Sequence, residues 1–250
     1  MNEACKVLNL SINVEKSKVM VCEKINSNPD CAIVLGDKKL ELVSQFVYLG
    51  SLLQNDGRID GEIDRRVNAG LRVVGATSSL SRNLEVDQKC KLAVYESVVV
   101  PTLMYASETW VWKGNHRSKV VATEMKYLRS MCGKTRMDRI RNEDIKNTCG
   151  VRKDVSEKVC ENMLRWFGHV ERMDESRLTK VISTGRVNGV RSRGRPRKCW
   201  EDQILECLKE KKVLSRNVRR ACIKRPMDIR EARTVCKERN EWRKIVFRKT

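Results

Sequence analysis

The sequence predicts a mainly α-helical protein with a small β-rich start and a basic helical C-terminal region. Three observations lead to this fold class. Aromatic residues make up 5% of the 250 residues and charged residues 34%, a composition typical of small helical units with solvated faces. Apolar residues recur at three- and four-residue spacing over most of the chain. Alternation of apolar and polar residues, which indicates strands, is found near the start.

The β-rich part is predicted in residues 1–55. Apolar and polar side chains alternate over residues 8–22, a second strand is predicted at 45–53, and a short strand can form at 31–35. A β-structure of this size is not stable without further packing. The segment is therefore not expected to be stable on its own.

Residues 56–183 are predicted to form amphipathic helices. The first begins after the Asn55-Asp56-Gly57 turn, Asp87 caps the second, and Pro101 kinks or ends it, because proline has no backbone donor. A third ends at Gly133, a residue suited to a helix C-terminus. The apolar positions assigned to the helices are Ile59, Ile63, Val67, Leu71 and Val74, then Cys90, Val94 and Val98, then Val121, Met125, Leu128 and Cys132, then Val159, Met163, Trp166, Phe167 and Val170.

The C-terminal region, residues 184–250, is predicted to contain a Gly/Arg-rich linker at 184–198 and helices at about 200–213 and 228–247. The whole chain has a net charge of +20, and most of the excess lies in this region. Such asymmetry is typical of a nucleic-acid-facing end. The predicted RNA or DNA contacts are Arg191, Arg193, Arg195, Arg197 and Lys198, with Arg216, Arg219, Arg220, Lys224 and Arg225 as a second group.

The densest basic run, residues 191–198, contains a Gly-Arg-Pro core and resembles an AT-hook. Glycine allows a close backbone approach, and arginines on an extended ribbon can enter a narrow minor groove. Phosphate binding without sequence preference is the broader interpretation. A solvated basic linker is the alternative, as is a solvated helix face for the second basic group.

The patterns of the cysteine, histidine and tryptophan residues favour structural roles over catalytic ones. The eleven cysteines are irregularly spaced and are predicted to be reduced thiols packed as small apolar residues. Cys149, Cys160 and His169 lack the close pair of a zinc site, so no metal or cofactor is expected. His116 and His169 are expected to lie on helix surfaces or to cap helices. Trp166, Trp200 and Trp242 are expected to pack between helices rather than to stack on bases.

A soluble intracellular protein of the nucleus or cytoplasm is expected. No apolar run approaches the roughly 20 residues that span a bilayer, and the start lacks the pattern of a secretory signal.

Several separated motifs together resemble the C-terminal part of the reverse transcriptase of non-LTR, LINE-like retrotransposons. The resemblance covers the whole chain and depends on the order of the motifs. They are LSINVEKSKVM at 10–20, FVYLGSLL at 46–53, the helix start at 56–67, YASETW at 105–110, LRWFGHV at 164–170 and GRPRKCW at 194–200.

The resemblance implies a role for each part of the chain. Residues 1–55 would be the end of the palm, with Lys16 or Lys18 as the palm lysine that lies near the incoming nucleotide. Residues 56–183 would form the thumb, which holds the template-primer duplex, and the basic end would bind element RNA or target DNA. The primer-grip hairpin would contain Phe46, Tyr48, Leu49 and Gly50.

One departure from the family bears on activity. Polymerases of this kind hold two metal ions with aspartates that include an Asp-Asp pair, and the sequence has no Asp-Asp dipeptide. A truncated, non-catalytic nucleic-acid-binding remnant is therefore expected. The alternatives are a part of an active RNA-directed DNA polymerase whose catalytic portion lies upstream, and an inert or protein-interaction fragment that self-associates through an exposed palm edge.

Overall fold

The computed structural model is mainly helical, which confirms the predicted fold class at that level. Its contacts divide the chain into two compact units, Met1–Arg65 and Arg66–Thr250. The residues that the structure describes are 7, 9, 12–22, 32–35, 38–185, 194, 197–215 and 225–248.

In its described residues, the first unit contains three two-stranded ladders. They are β1 (Lys18–Val19) with β4 (Glu41–Leu42) in parallel, and the antiparallel pairs β2 (Val34–Leu35) with β3 (Lys38–Lys39) and β5 (Gln45–Tyr48) with β6 (Ser51–Gln54). The short strand predicted at 31–35 is confirmed at β2. The strand predicted over 8–22 is wrong in the described part beyond β1. There the Ser17 N–H donates to the Asn13 carbonyl and closes a turn instead.

The strand predicted over 45–53 is a hairpin. Leu49 and Gly50 both have positive φ, 46° and 82°, which is the requirement of the two-residue turn that matches the twist of paired strands. The chain therefore reverses in the middle of the predicted strand. Phe46 pairs with Leu53 across the ladder.

The hairpin is tied to the first turn of α1 (Asp60–Ala76). The Glu62 carboxylate accepts a hydrogen bond from the Leu52 amide at 2.7 Å, and Arg65 donates to the Gly50 carbonyl at 2.7 Å. These contacts satisfy groups that a lone hairpin would expose to water. The predicted helix after Asn55-Asp56-Gly57 is confirmed.

The second unit is built from helices around α7. Helix α7 packs against α5, α9, α10 and α11, and its Val159, Met163 and Phe167 are buried, as the apolar stripe predicted. Within the described residues, the helices after α1 are α2 (Ser78–Arg82), α3 (Gln88–Val94), α4 (Val100–Met104), α5 (Gly114–Met131), α6 (Asn142–Cys149), α7 (Val155–Glu171), α8 (Leu178–Thr184), α9 (Trp200–Glu210), α10 (Ile229–Lys237) and α11 (Arg239–Val246).

Helix α3 does not stop at Pro101. A π-helical turn over Tyr95–Val99 leads directly into α4, with the proline in the first turn of α4. A wider turn accommodates a residue that lacks an N–H and crowds the preceding carbonyls. The turn also shifts the buried face, so Val98 is exposed although the helical stripe predicted it to be buried. Cys90, which lies before the turn, is exposed as well, because Lys91 and Tyr95 occupy the buried face there. Asp87 caps α3 as predicted, accepting from the Lys89 amide.

The helix predicted over 228–247 is two helices. The chain is extended at Glu238, with φ −85° and ψ 95°, so α10 and α11 meet at an angle that a single helix cannot make. This break lets both pack against α7. The ring of Phe167 lies 5.7 Å from that of Trp242 and 5.9 Å from that of Trp200. Trp242 is buried and Trp200 half-buried, as expected.

Candidate nucleic-acid interface

Most of the basic residues predicted to contact nucleic acid lie outside the described residues. Those of the two predicted groups that the structure does describe are Arg197, Lys198 and Arg225. The ones outside it are Arg191, Arg193, Arg195, Arg216, Arg219, Arg220 and Lys224.

The three described members have different surroundings. The Lys198 ammonium donates to the Trp112 carbonyl at 3.2 Å and to Gln203 Oε1 at 2.7 Å, and also pairs with Glu206. Its donors are thus directed at protein acceptors in front of α9. Arg197 is exposed. Arg225 is exposed and lies 3.6 Å from the Asp228 carboxylate.

The buried carboxylates of the helical unit are occupied by internal partners. Glu161 on α7 accepts from Lys153 at 2.6 Å and from Lys211 at 3.1 Å. Glu171 at the end of the same helix pairs with Lys180 at 2.7 Å and Arg233 at 3.3 Å.

A loop between α5 and α6 carries a concentrated positive charge that the sequence-based prediction missed. This basic loop, residues 133–141, contains Lys134, Arg136, Arg139 and Arg141, all exposed. None of the four has an ion pair with a described residue. The sequence did indicate this loop, since four of the eight residues 134–141 are Lys or Arg. The basic runs near the C-terminus have a higher density of positive charge and were chosen instead.

Hydrogen bonds hold the basic loop in one conformation. Gly133 has a φ of 62° and ends α5, as predicted. Asp138 accepts from the Thr135 amide at 2.6 Å, and these Thr135 hydrogen bonds lower the pKa of the Asp138 carboxyl. Arg129 donates to the Ile140 carbonyl at 3.1 Å. The cations are thus displayed on an ordered frame, which reduces the entropy lost when a ligand binds.

A second positive surface lies on the outer face of α10 and α11. The inner face of these helices is buried. The outer face carries cations that are exposed and have no ion pair with any residue in the described part of the chain. They are Arg230, Lys237, Arg239 and Arg243.

The residues predicted for the palm and the primer grip lie in the first unit. Lys18 pairs with Glu41 across the β1–β4 ladder, and Lys16 is exposed. At the hairpin, Tyr48 is 58% and Leu49 is 76% exposed. The remaining two, Phe46 and Gly50, are in β5 and in the turn.

The histidines are placed as predicted. His116 is buried in the first turn of α5, where its Nδ1 accepts from the Lys113 amide at 3.3 Å. His169 is exposed on α7 beside Trp166.

The cysteines are free thiols in the described residues. Cys132 and Cys149 have their sulfur atoms 3.2 Å apart, and Cys160 and Cys207 have theirs 2.6 Å apart. Cys149, Cys160, Cys207 and Cys236 are buried, as predicted, whereas Cys22, Cys90 and Cys199 are exposed. No group of three or more His, Cys, Asp or Glu side chains suited to a metal ion occurs in the part of the chain that the structure describes.

Comparison with known proteins links the chain to transposons. It is 26% identical over 259 aligned positions to an uncharacterized transposon-derived protein of Caenorhabditis elegans, and the alignment covers 99% of this chain and 86% of that protein. No protein-family model matches the chain, and no solved structure matches it. The chain is therefore similar to a transposon-derived protein over nearly its whole length.

Among the described residues, no helix is long and apolar enough to cross a bilayer.

Proposed function

We propose that the chain is a nucleic-acid-binding part of a non-LTR retrotransposon reverse transcriptase, and that it binds the element RNA, its target DNA or a template-primer duplex. The observation that carries the proposal is the ordered basic loop, with four exposed cations on a hydrogen-bonded frame. Phosphate backbones are the polyanions that such surfaces bind most commonly. The similarity to a transposon-derived protein supports the same origin.

The β5–β6 hairpin is proposed to be the primer grip, and the helices from α1 onward the thumb. The order of hairpin then helix agrees with the motif order of the family, and Tyr48 and Leu49 are exposed at the turn, on the surface proposed to contact a primer strand. Hydrogen bonds from Leu52 to Glu62 and from Arg65 to Gly50 fix the hairpin on its helix. A hairpin that positions a primer end needs to be held in place by contacts of this kind.

Catalysis of DNA synthesis by this chain alone is not part of the proposal. The sequence has no Asp-Asp dipeptide, and a two-metal polymerase site needs paired carboxylates. A primer-extension reaction with the purified chain and Mg²⁺ is expected to yield no extended product. Extension that depends on both the chain and the metal would contradict this.

A binding titration tests the proposal directly. The purified chain is titrated against fluorescent structured RNA, A·T-rich duplex and G·C-rich duplex at several salt concentrations. Binding should weaken with salt, with a slope of about −0.9 for each phosphate contacted in a DNA duplex. Absence of binding to every one of these ligands near physiological salt would overturn the proposal.

Two variants with the same loss of charge locate the interface. One neutralises the basic loop, with Lys134→Gln, Arg136→Gln, Arg139→Gln and Arg141→Gln. The other removes four scattered cations, with Arg58→Gln, Lys89→Gln, Lys209→Gln and Lys244→Gln. The loop variant is expected to reduce the magnitude of the salt slope by about 2 to 4, and the scattered variant by less than about 1. Equal effects would show that net charge, not the loop, drives binding.

A third variant tests the AT-hook-like run at 191–198. Changing Arg191, Arg193, Arg195 and Arg197 to alanine should abolish any preference for A·T-rich over G·C-rich duplex, because a narrow A·T minor groove attracts inserted arginines. If the preference for A·T-rich duplex survives the change, residues outside this run are responsible for it.

A further inference from the structure

An exposed aromatic ring flanked by cations lies at the end of α11. Phe247 follows the helix, and its side chain is 44% exposed. The Arg165 guanidinium carbon is 5.6 Å from the ring centroid, and the Lys153 ammonium is 5.8 Å from it. Arg165 is exposed on α7 and has no ion pair with a described residue.

Hydrogen bonds and ion pairs with buried groups hold Lys153 and the chain around Phe247 in place. Lys153 is fixed by Glu161, which also accepts from the buried Lys211, and Lys211 in turn donates to the Arg248 carbonyl at 3.2 Å. The Phe247 amide donates to the Arg243 carbonyl at 3.1 Å. The ring is thus positioned before any ligand arrives.

Buried Trp242 adds a second anchor one helical turn earlier. Its indole Nε1 donates to the Leu164 carbonyl at 2.8 Å, directly before Arg165 in the sequence. This bond joins α11 to α7 at the level of the exposed ring. The aromatic ring and the guanidinium therefore keep their relative positions.

We infer that Phe247 and Arg165 form a base-stacking site for single-stranded nucleic acid. A half-exposed ring can stack on an unpaired base, and an adjacent free guanidinium can contact the phosphate or stack beside the base. Paired bases inside a duplex are already stacked and cannot reach the ring. The site rests on the proposed nucleic-acid binding and adds to it a preference for unpaired nucleotides.

The test separates base stacking from charge by comparing two ligands of equal charge. The full chain is titrated with a single strand of eight thymidine nucleotides and with an abasic strand of the same length. The unmodified chain is expected to bind the thymidine strand about tenfold more tightly, the range that stacking on one aromatic side chain supplies. Phe247→Leu is expected to bring this ratio close to one, while leaving the affinity for the abasic strand unchanged.

Two further variants complete the test. Arg165→Gln, which leaves the ring in place, is expected to weaken binding to both strands and to reduce the magnitude of the salt slope by about 0.7. Leu84→Ala, which removes an apolar side chain that is even more exposed than Phe247, is the control and should change neither affinity. Tryptophan fluorescence, to which the buried Trp110, Trp112 and Trp242 contribute, reports whether each variant is folded.

The possible failures are distinct. Equal affinity of the unmodified chain for the two strands would overturn the stacking site and leave charge-driven binding standing. A thymidine preference that persists in Phe247→Leu would assign stacking to another residue and would also overturn it. Absence of binding to these strands, to duplex and to structured RNA would overturn both the site and the proposed function.

Discussion

The indole of Trp242 occupies the space that a side chain at Gly168 would need. A Cβ built on Gly168 would lie 2.3 Å from the indole Nε1 and 2.4 Å from its Cδ1. Gly168 belongs to the LRWFGHV motif on α7, and Trp242 comes from α11. Gly168 therefore allows α7 and α11 to approach each other closely. At this contact the indole N–H of Trp242 donates to the Leu164 carbonyl.

Gly168→Ala is expected to destabilise the protein by about 2 to 4 kcal/mol. The added methyl group forces the indole away and costs both packing and a hydrogen bond. Urea unfolding followed by tryptophan fluorescence measures the change. Gly75→Ala is the matched control, since nothing lies within 4 Å of a Cβ on this helical glycine, and it should be neutral or stabilise by up to about 1 kcal/mol. Similar losses in both variants would disprove the steric explanation.

Glu124 is expected to make stability depend on pH between about 4.5 and 7. Its carboxylate is buried, accepts from Tyr95 and from the Val155 amide at 3.0 Å, and burial raises its pKa to about 7. A carboxyl with a raised folded-state pKa stabilises the fold below the unfolded value near 4.5, and this contribution is lost as the pH rises through 7. The loss should be about 3 kcal/mol.

The comparison with Glu124→Gln isolates this effect from other titrating groups. Glutamine keeps an acceptor for Tyr95 but carries no charge at any pH. The difference in unfolding free energy between the protein and the variant should therefore change between pH 5 and pH 8, in favour of the variant at pH 8. A difference that is independent of pH would contradict the raised pKa.

The buried thiols are expected to resist alkylation in the folded protein. Burial and the contact with Cys132 raise the pKa of Cys149 to about 12, and the hydrogen bond to Cys207 together with burial raises that of Cys160. Because the thiolate is the reactive form, iodoacetamide at pH 8 should label the exposed Cys90 at least tenfold faster. Peptide mass spectrometry gives the rates. In urea the three rates should become similar, and unequal rates there would point to local sequence instead.

Leu49→Asn is expected to stabilise the β5–β6 hairpin. Leu49 has a φ of 46°, a conformation that costs a leucine about 1 kcal/mol and that asparagine tolerates in this turn. Amide exchange of the paired residues 45–54 should slow about fivefold if the hairpin opens locally. Leu53→Asn, which lies in a strand rather than in the turn, is the control and should make amide exchange of these residues faster. Slower exchange in both variants would argue against relief of turn strain.

Periodicity alone was enough to predict most helices, because burial of one face imposes a three- to four-residue spacing. The helix after Asn55-Asp56-Gly57, the end of α5 at Gly133 and the core stripe of α7 all follow this rule. The rule fails around Val98. There a π-helical turn before Pro101 changes the number of residues per turn and shifts the buried face.

The exposed basic surfaces could be predicted from the sequence only in part. Charge density in the sequence pointed to residues 191–198 and to the second group beginning at Arg216, most of which lie outside the described residues, whereas the basic loop and the outer face of α10 and α11 were not predicted. Lys198 illustrates the reason. It is as basic as its neighbours, yet its donors are directed at Trp112, Gln203 and Glu206. Whether a cation is free depends on which acceptors the fold brings to it.

By itself the sequence determined the mainly helical class, the excess of positive charge and the motif order that resembles a retrotransposon reverse transcriptase, since these depend on composition and local spacing. Only the tertiary structure decided which partners meet across the chain. The approach of Trp242 to Gly168, the sharing of Glu161 by Lys153 and Lys211, and the placement of Arg165 beside Phe247 join residues distant in sequence. Local sequence carries no record of such contacts, because they arise when helices pack and exclude water.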